Sequence, residues 1–197
     1  LYREVNFIEK NNIYISNPSI ADIEAGGGVF ITFPTVNEKM SEVKIQTHVI
    51  NEGENDKGAR IKHVIKKGND IVEEVTADII LRKGKQGNTW CYTVEMDSPA
   101  LWSPDSPTLY TLETTIYDED GMVMDRNTER FGIRKFEFKD NQLYINGKKT
   151  YLRGVNRHQD QAPVGVAIDD EVNRRDIRQI KEIGCNFIRI SHYPQDD

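Results

Sequence analysis

The sequence has few cysteines, no long apolar run and no excess of basic residues. Its two cysteines, Cys91 and Cys185, are too few for a disulfide scaffold and lack metal-ligand spacing, so we expect two unpaired thiols. No apolar stretch approaches about 18 residues, which excludes a transmembrane helix. With 26 basic and 32 acidic residues, the net charge of −6 argues against nucleic acid or an anionic membrane as a partner.

The sequence also lacks an initiator methionine and the basic and apolar regions of a signal peptide. It begins within a strand-like segment at residues 1–8 and stops soon after another at 186–191. We therefore expect the chain to be a piece of a longer protein. Neither composition nor cysteine usage distinguishes a cytoplasmic from a periplasmic location.

The first two-thirds of the chain alternates apolar with polar residues, which is the pattern of half-buried β-strands. Turn-forming residues, such as those at 118–121, separate the alternating segments. About seven short strands of this kind predict an antiparallel β-sandwich of immunoglobulin type without a disulfide. The predicted strands lie at 29–33, 43–49, 61–65, 79–81, 90–94, 109–117 and 122–131.

The pattern changes after Arg134, where a hairpin and then a βαβ unit with a parallel sheet are predicted. Asp169 and Asp170 can cap the helix, and Gly184 is expected at its end. The predicted elements are strands at 135–138, 142–145 and 151–155, a helix between Asp169 and Gly184, and a strand at 186–191. The predicted apolar face of the helix consists of Val172, Ile177, Ile180 and Ile183, with Asp176 outside it.

Two histidines lie just after the two predicted parallel strands. His158 comes after the first strand and His192 after the second. In a barrel of parallel strands, the loops at the carboxyl ends of the strands build the active site, so we interpret both histidines as functional rather than incidental. No third ligand lies at a fixed spacing, which argues against a metal site.

Arg189 lies within the otherwise apolar last strand. A buried guanidinium needs a paired carboxylate, so one hypothesis is that Arg189 orients a carboxylate supplied by another strand. The alternative is a partly exposed position near the strand end.

Other conspicuous residues are interpreted as structural. Three acidic pairs resemble paired catalytic carboxylates but are interpreted as solvated or capping charges: Glu73 with Glu74, Asp118 with Asp120, and Asp169 with Asp170. The glycines at 26–28 are predicted to be a flexible connector, and Trp102 is expected to pack against the sandwich or its neighbour.

Several segments resemble glycoside hydrolase family 2, and most closely its β-galactosidases. Residues 1–5 are similar to the last strand of the family's N-terminal sugar-binding jelly roll. The remaining segments resemble the family's immunoglobulin-like domain at 99–104, 107–110 and 131–134, and the opening of its catalytic (β/α)8 barrel at 143–148, 153–158 and 188–194.

The resemblance implies three parts. Residues 1–20 would be the end of the jelly-roll domain with a linker, residues 21–134 the immunoglobulin-like β-sandwich, and residues 135–197 the incomplete N-terminal part of the TIM-barrel domain. The predicted fold class is therefore mainly β, with a truncated (β/α)8 barrel after the sandwich.

The family implies retaining hydrolysis of terminal β-D-galactosides by a longer parent, with two catalytic glutamates expected beyond Asp197. The chain alone is therefore expected to be inactive. By resemblance, His158 and His192 match histidines that bind sugar hydroxyls, and Arg189 matches the arginine that orients the nucleophile. No metal ligand or cofactor is assigned in this chain, although the family suggests Mg²⁺ and Na⁺ for the parent. The expected partners are a carbohydrate and the rest of the parent chain, and the family allows a homo-oligomeric parent.

Substrate choice leaves alternatives open. The run Asn-Arg-His-Gln-Asp at 156–160 is closer to β-galactosidases than to the Asn-Lys-His-Glu-Asp form of β-glucuronidases. Gln159 and the loop at 161–166 depart from familiar β-galactosidases, and β-glucuronidase or β-mannosidase activity remains an alternative. The alternative from another class is a non-catalytic carbohydrate- or protein-binding module, which would use exposed aromatics among Trp90, Tyr92, Tyr110 and Tyr117.

Overall fold

The computed structural model describes residues 5, 7–162 and 164–190 of the chain. Strands dominate these residues, and the helices are α1 (Pro18–Ala21) and α2 (Asp170–Glu182). The strands are β1 (Ile13–Ile15), β2 (Val29–Thr32), β3 (Met40–Asn51), β4 (Lys57–Lys67), β5 (Asp70–Leu81), β6 (Gly84–Asp97), β7 (Tyr110–Asp118), β8 (Val123–Phe131), β9 (Phe136–Lys139), β10 (Gln142–Ile145), β11 (Lys148–Thr150), β12 (Gly154–Arg157) and β13 (Phe187–Ile190).

Two four-stranded antiparallel sheets form a β-sandwich, which confirms the predicted fold class. In the first sheet β3 is central, with β6 along one edge and with β1 and β2 along the other. The second sheet has the order β5-β4-β7-β8. β1 falls within the segment assigned above to the jelly roll and linker, and it pairs with β3.

Alternation along the central strands produces the sandwich core. Odd-numbered positions of β3 from 41 to 51 are buried, while most even-numbered positions are only partly buried. The buried apolar residues form two separate clusters. The first contains Val43, Ile45, Ile65, Val94, Met96, Tyr110, Leu112, Phe131 and Ile133. The second contains Ile13, Ile15, Val49, Ala59, Ile61, Ile79, Leu81 and Ile116.

A buried polar layer lies between the two clusters. We define this layer as Thr47 of β3, His63 of β4, Thr114 of β7 and Asn127 of β8. His63 is paired with Thr114 and Thr114 with Asn127 across the second sheet. On each of β3, β4 and β7, the residue two positions before the layer residue belongs to one apolar cluster. The residue two positions after the layer residue belongs to the other cluster.

This layer is incompletely hydrogen-bonded within the described part of the chain. His63 Nδ1 lies 3.0 Å from Thr114 Oγ1. Among the described residues, four buried side-chain atoms have no hydrogen-bond partner: Thr47 Oγ1, His63 Nε2, Asn127 Oδ1 and the Nε1 of Trp90, the β6 residue paired with Thr47. Burial lowers the pKa of His63 from 6.5 to about 4, so its imidazole is neutral at neutral pH.

The glycine-rich segment at 26–28 is more ordered than the flexible connector predicted for it. The Gly28 N–H donates to Ser16 Oγ at 2.9 Å, and the Gly28 carbonyl accepts from the His48 N–H. Ser16 Oγ lies 2.8 Å from His48 Nδ1, and His48 Nε2 lies 2.8 Å from the Gln86 carbonyl. Because a carbonyl only accepts, the Nε2 of His48 carries the hydrogen and its Nδ1 accepts from Ser16.

Trp102 packs at the end of the sandwich, as predicted. The Arg134 guanidinium lies 4.7 Å from the centre of the Trp102 ring and 5.5 Å from that of Phe136, in cation–π geometry. The Asn146 side chain donates to the Trp102 carbonyl at 2.9 Å. Three short strands in the order β11-β10-β9 include the predicted hairpin.

The chain divides into two compact units. The sandwich unit consists of residues 9–140 and 144–148, and the second unit holds the described residues among 1–8, 141–143 and 149–197. The predicted βαβ pattern is confirmed in the second unit, where β12 and β13 are parallel and α2 lies between them in sequence. The strand predicted at 151–155 begins three residues later, at Gly154. No described helix is long and apolar enough to cross a membrane.

Candidate functional site

The parallel pair β12–β13 determines which side chains share a face. Asn156 is the register partner of Arg189, so both project from the same face of the pair. Gly154 permits the close approach of the strands, because a Cβ at this position would collide with the Phe187 carbonyl oxygen. His158 directly follows β12, and strand alternation assigns it to the face of Asn156.

The opposite face of β12 carries a charged contact with α2. Arg157 Nη2 lies 2.7 Å from Asp176 Oδ2 and 2.9 Å from Asn173 Oδ1, and its Nε lies 3.2 Å from Asp176 Oδ2. The Arg157 side chain is only 11% exposed. Hydrogen bonding from Arg157 is the main reason that the pKa of Asp176 is lowered.

The prediction for the helix faces was therefore partly wrong. Asp176 was expected outside the apolar face, but it lies under the Arg157 guanidinium. Val172 and Ile180 are half-buried as predicted, whereas Ile177 and Ile183 are 46% and 73% exposed. Apolar spacing could not reveal Asp176, because its partner is a strand residue 19 positions away.

The structure locates two of the three predicted site residues. His158 and Arg189 are both exposed, and Arg189 has no ion pair within the described ranges. The exposure of Arg189 in the described residues does not test its proposed role of orienting a carboxylate from another strand. His192 lies outside the described residues. The roles assigned to all three residues stay predictions.

The loop after β12 contains a turn closed by its own backbone. Gln161 and Gly165 exchange two backbone hydrogen bonds of 2.9 and 2.7 Å. Gln159, the residue noted as a departure from familiar β-galactosidases, is 5% exposed. Gln159 is therefore a buried polar residue of this loop.

The acidic pairs have the structural roles expected of them. Glu74 forms a 2.8 Å ion pair with Lys62, Asp118 accepts hydrogen bonds from backbone N–H groups in its own turn, and Asp169 caps α2. Within residues 5, 7–162 and 164–190, no three His, Cys, Asp or Glu side chains come together as a metal site requires. No metal-dependent step is assigned to these residues.

The aromatic residues that a sugar-stacking module would use differ in exposure. Tyr110 is 2% exposed, and Trp90 packs against the second apolar cluster. Tyr92 is 36% exposed. A module that binds carbohydrate by stacking sugars on aromatic rings needs a row of exposed rings. Such a row is not formed by Trp90, Tyr92, Tyr110 and Tyr117.

Comparison with known proteins places these features in one family. The sequence model of glycosyl hydrolases family 2 matches residues 22–134, and the model of the TIM barrel domain of that family matches residues 136–197. A β-galactosidase of Thermoanaerobacter pseudethanolicus is 36% identical over 169 residues, covering 85% of this chain and 22% of that protein.

Solved structures agree with the sequence comparison. The crystal structure of a Bacteroides uniformis β-glucuronidase has a TM-score of 0.79 and 34% identity, covering 94% of this chain and 22% of that one. A family 2 member from Bacteroides cellulosilyticus has a TM-score of 0.83 and 26% identity, covering 94% of this chain and 24% of that one. The chain thus spans about a quarter or less of the length of these relatives. The sandwich and the βαβ unit that follows it belong to the family 2 glycosyl hydrolases.

Proposed function

We propose that the chain is part of a retaining exo-β-glycosidase and supplies sugar-binding groups at the carboxyl ends of β12 and β13. The observation that carries this proposal is the parallel register, in which Asn156 and Arg189 are side by side and His158 directly follows β12. In barrels of parallel strands, the active site is built at this end of the strands. The family match over residues 136–197 supports the same interpretation.

The proposed chemistry divides the work between this chain and later residues. A retaining glycosidase needs an acid and a nucleophile, both carboxyl groups, about 5–5.5 Å apart. We propose that both are glutamates beyond Asp197. The Arg189 guanidinium would lower the pKa of the nucleophile and keep it ionised, since a nearby opposite charge favours the charged form. His158 and His192 would hydrogen-bond to hydroxyl groups of the terminal sugar.

We propose a terminal β-D-galactoside as the substrate, with a β-glucuronide as the second candidate. The Thermoanaerobacter β-galactosidase supports the first, and the Bacteroides uniformis β-glucuronidase supports the second at nearly the same identity. The sequence argument for a galactoside relied in part on Arg157. Its side chain contacts α2, on the face opposite Arg189, so a direct contact between Arg157 and the sugar is not part of the proposal.

The substrate is tested with the longer protein expected to contain this chain. Release of nitrophenol from the matched β-galactoside, β-glucuronide and β-mannoside would be followed under identical conditions. We expect the highest kcat/KM for the galactoside. A higher kcat/KM for the glucuronide or the mannoside would show that the proposed sugar is wrong but would leave the family assignment unchanged. Cleavage of none of the three substrates would contradict the glycosidase proposal itself.

A further inference from the structure

Arg157 lies between two residues that face the proposed site, yet its own side chain points the other way. Asn156 and Arg189 share the face opposite α2, and His158 is the next residue along the chain. Arg157 is the last residue of β12 and is paired with Ile190 at the end of β13. The backbone of His158 is therefore bonded directly to that of Arg157.

The contacts of Arg157 fix its side chain in one orientation. Its guanidinium donates to an aspartate and an amide that are three residues apart on α2, Asp176 and Asn173. Residues at this spacing lie on the same helix face, so the two acceptors match the planar fork of an arginine. Lysine would preserve the charge but present a single nitrogen, and it could not reproduce the three contacts.

The pair is more sheltered than the other ion pairs of α2. The side chains of Arg157 and Asp176 are 11% and 28% exposed, whereas those of Arg178 and Glu171 are 60% and 73% exposed. A sheltered, multiply hydrogen-bonded pair is less screened by water and holds its groups more firmly than a surface pair. Loss of Arg157 should therefore weaken the contact between β12 and α2. Loss of Arg178 should remove only an exposed ion pair on the surface of α2.

We propose that Arg157 is a positioning residue for substrate binding: by tying the carboxyl end of β12 to Asp176 and Asn173 of α2, it sets the direction in which His158 projects toward the sugar. This inference rests on the proposed function, because it assigns His158 to sugar binding. A small displacement of a group that contacts the substrate weakens its contact, so loss of the tie should have a measurable effect on substrate binding.

The test uses the longer enzyme with whichever nitrophenyl β-glycoside it cleaves best. We expect Arg157→Lys to lower kcat/KM about tenfold, mainly through a higher KM, because His158 would contact the sugar in both the ground state and the transition state. Asp176→Asn keeps the shape of the side chain while removing its charge, and it should have a smaller effect in the same direction. Arg178→Ala, which removes an exposed ion pair from the same helix, is the control and should leave kcat/KM unchanged.

A double-variant cycle separates positioning from general stability. If Arg157 acts through His158, then Arg157→Lys should have little further effect on KM in a His158→Ala background. Additive losses, or a kcat/KM of Arg157→Lys equal to that of Arg178→Ala in the folded enzyme, would overturn the proposal. If the unsubstituted enzyme cleaves no glycoside, the proposed function fails first, which distinguishes the two failures.

Discussion

A neutral imidazole in the core makes the stability of the sandwich depend on pH. His63 is 2% exposed, and burial lowers its pKa to about 4 from an ordinary value of 6.5. Between these two values, the unfolded chain binds more protons than the folded chain. The contribution of His63 is therefore fully present above pH 6.5 and is lost as the pH falls toward 4, by about 3 kcal/mol in total.

This prediction is checked by urea unfolding at pH 7 and pH 4.5. The only two tryptophans, Trp90 and Trp102, both lie in the sandwich unit, so their fluorescence reports its unfolding. The double variant His63→Leu with Thr114→Val removes both hydrogen-bonding partners and should show a clearly weaker loss of stability on acidification. An identical loss in the double variant and the original chain would assign the pH dependence to other groups.

Single residues also mark the limit of what the sequence could predict. His63 lies in a strand that was predicted correctly, but nothing in the local pattern indicates that it meets Thr114, 51 positions away. Asp176 was assigned to the solvated side of α2, because apolar periodicity cannot report an ion pair with a distant strand. The exposure of Arg189 likewise depends on which neighbouring strands are present, which one segment of sequence does not specify.

At the scale of elements, α2 is capped at both of its ends. None of its residues is buried, and Asp169 Oδ1 accepts a hydrogen bond of 2.9 Å from the Val172 N–H. At the other end, Gly184 has a φ of +86°, and the N–H groups of Gly184 and Cys185 donate to the carbonyls of Lys181 and Ile180. These two bonds form a Schellman motif, for which glycine is favoured because it adopts a positive φ without strain.

Removal of the N-cap should therefore loosen the helix. We expect Asp169→Ala to destabilise α2 by about 1 kcal/mol, because the Val172 N–H loses its acceptor. Asp170→Ala is the matched control, since Asp170 forms only an exposed contact of 3.7 Å with Arg174. Amide hydrogen exchange across 172–182 would be faster in the first variant than in the second. Equal exchange in both variants would show that the cap does not limit opening of the helix.

Element types were more predictable from the sequence than element limits. The alternation at 43–49 predicted a strand, but β3 extends over Met40–Asn51, because pairing with β6 continues beyond the clearest alternating residues. The strand predicted at 151–155 actually occupies Gly154–Arg157, because the pairing with β13 fixes its limits. Asp169 and Gly184 were identified correctly, since caps are local features of the sequence.

At the scale of the whole molecule, we expect no glycosidase turnover by the 197-residue chain alone. The reason is chemical: retaining hydrolysis needs both an acid and a nucleophile, and the resemblance puts both glutamates after Asp197. The measurement is nitrophenol release from the β-galactoside by the purified chain, with the longer enzyme as the positive control. Turnover by the chain that survives repeated purification would contradict this prediction.

The buried polar layer has a consequence for how the strands align during folding. Apolar–polar alternation rejects a slip of one residue, which would turn every apolar side chain outward, but it tolerates a slip of two. A two-residue slip of β4 against β7 would put Ile61 or Ile65 beside Thr114 and would bury His63 within one of the apolar clusters, away from its hydrogen-bonding partner. The layer thus distinguishes the native alignment from shifted sheets that have equally apolar interiors.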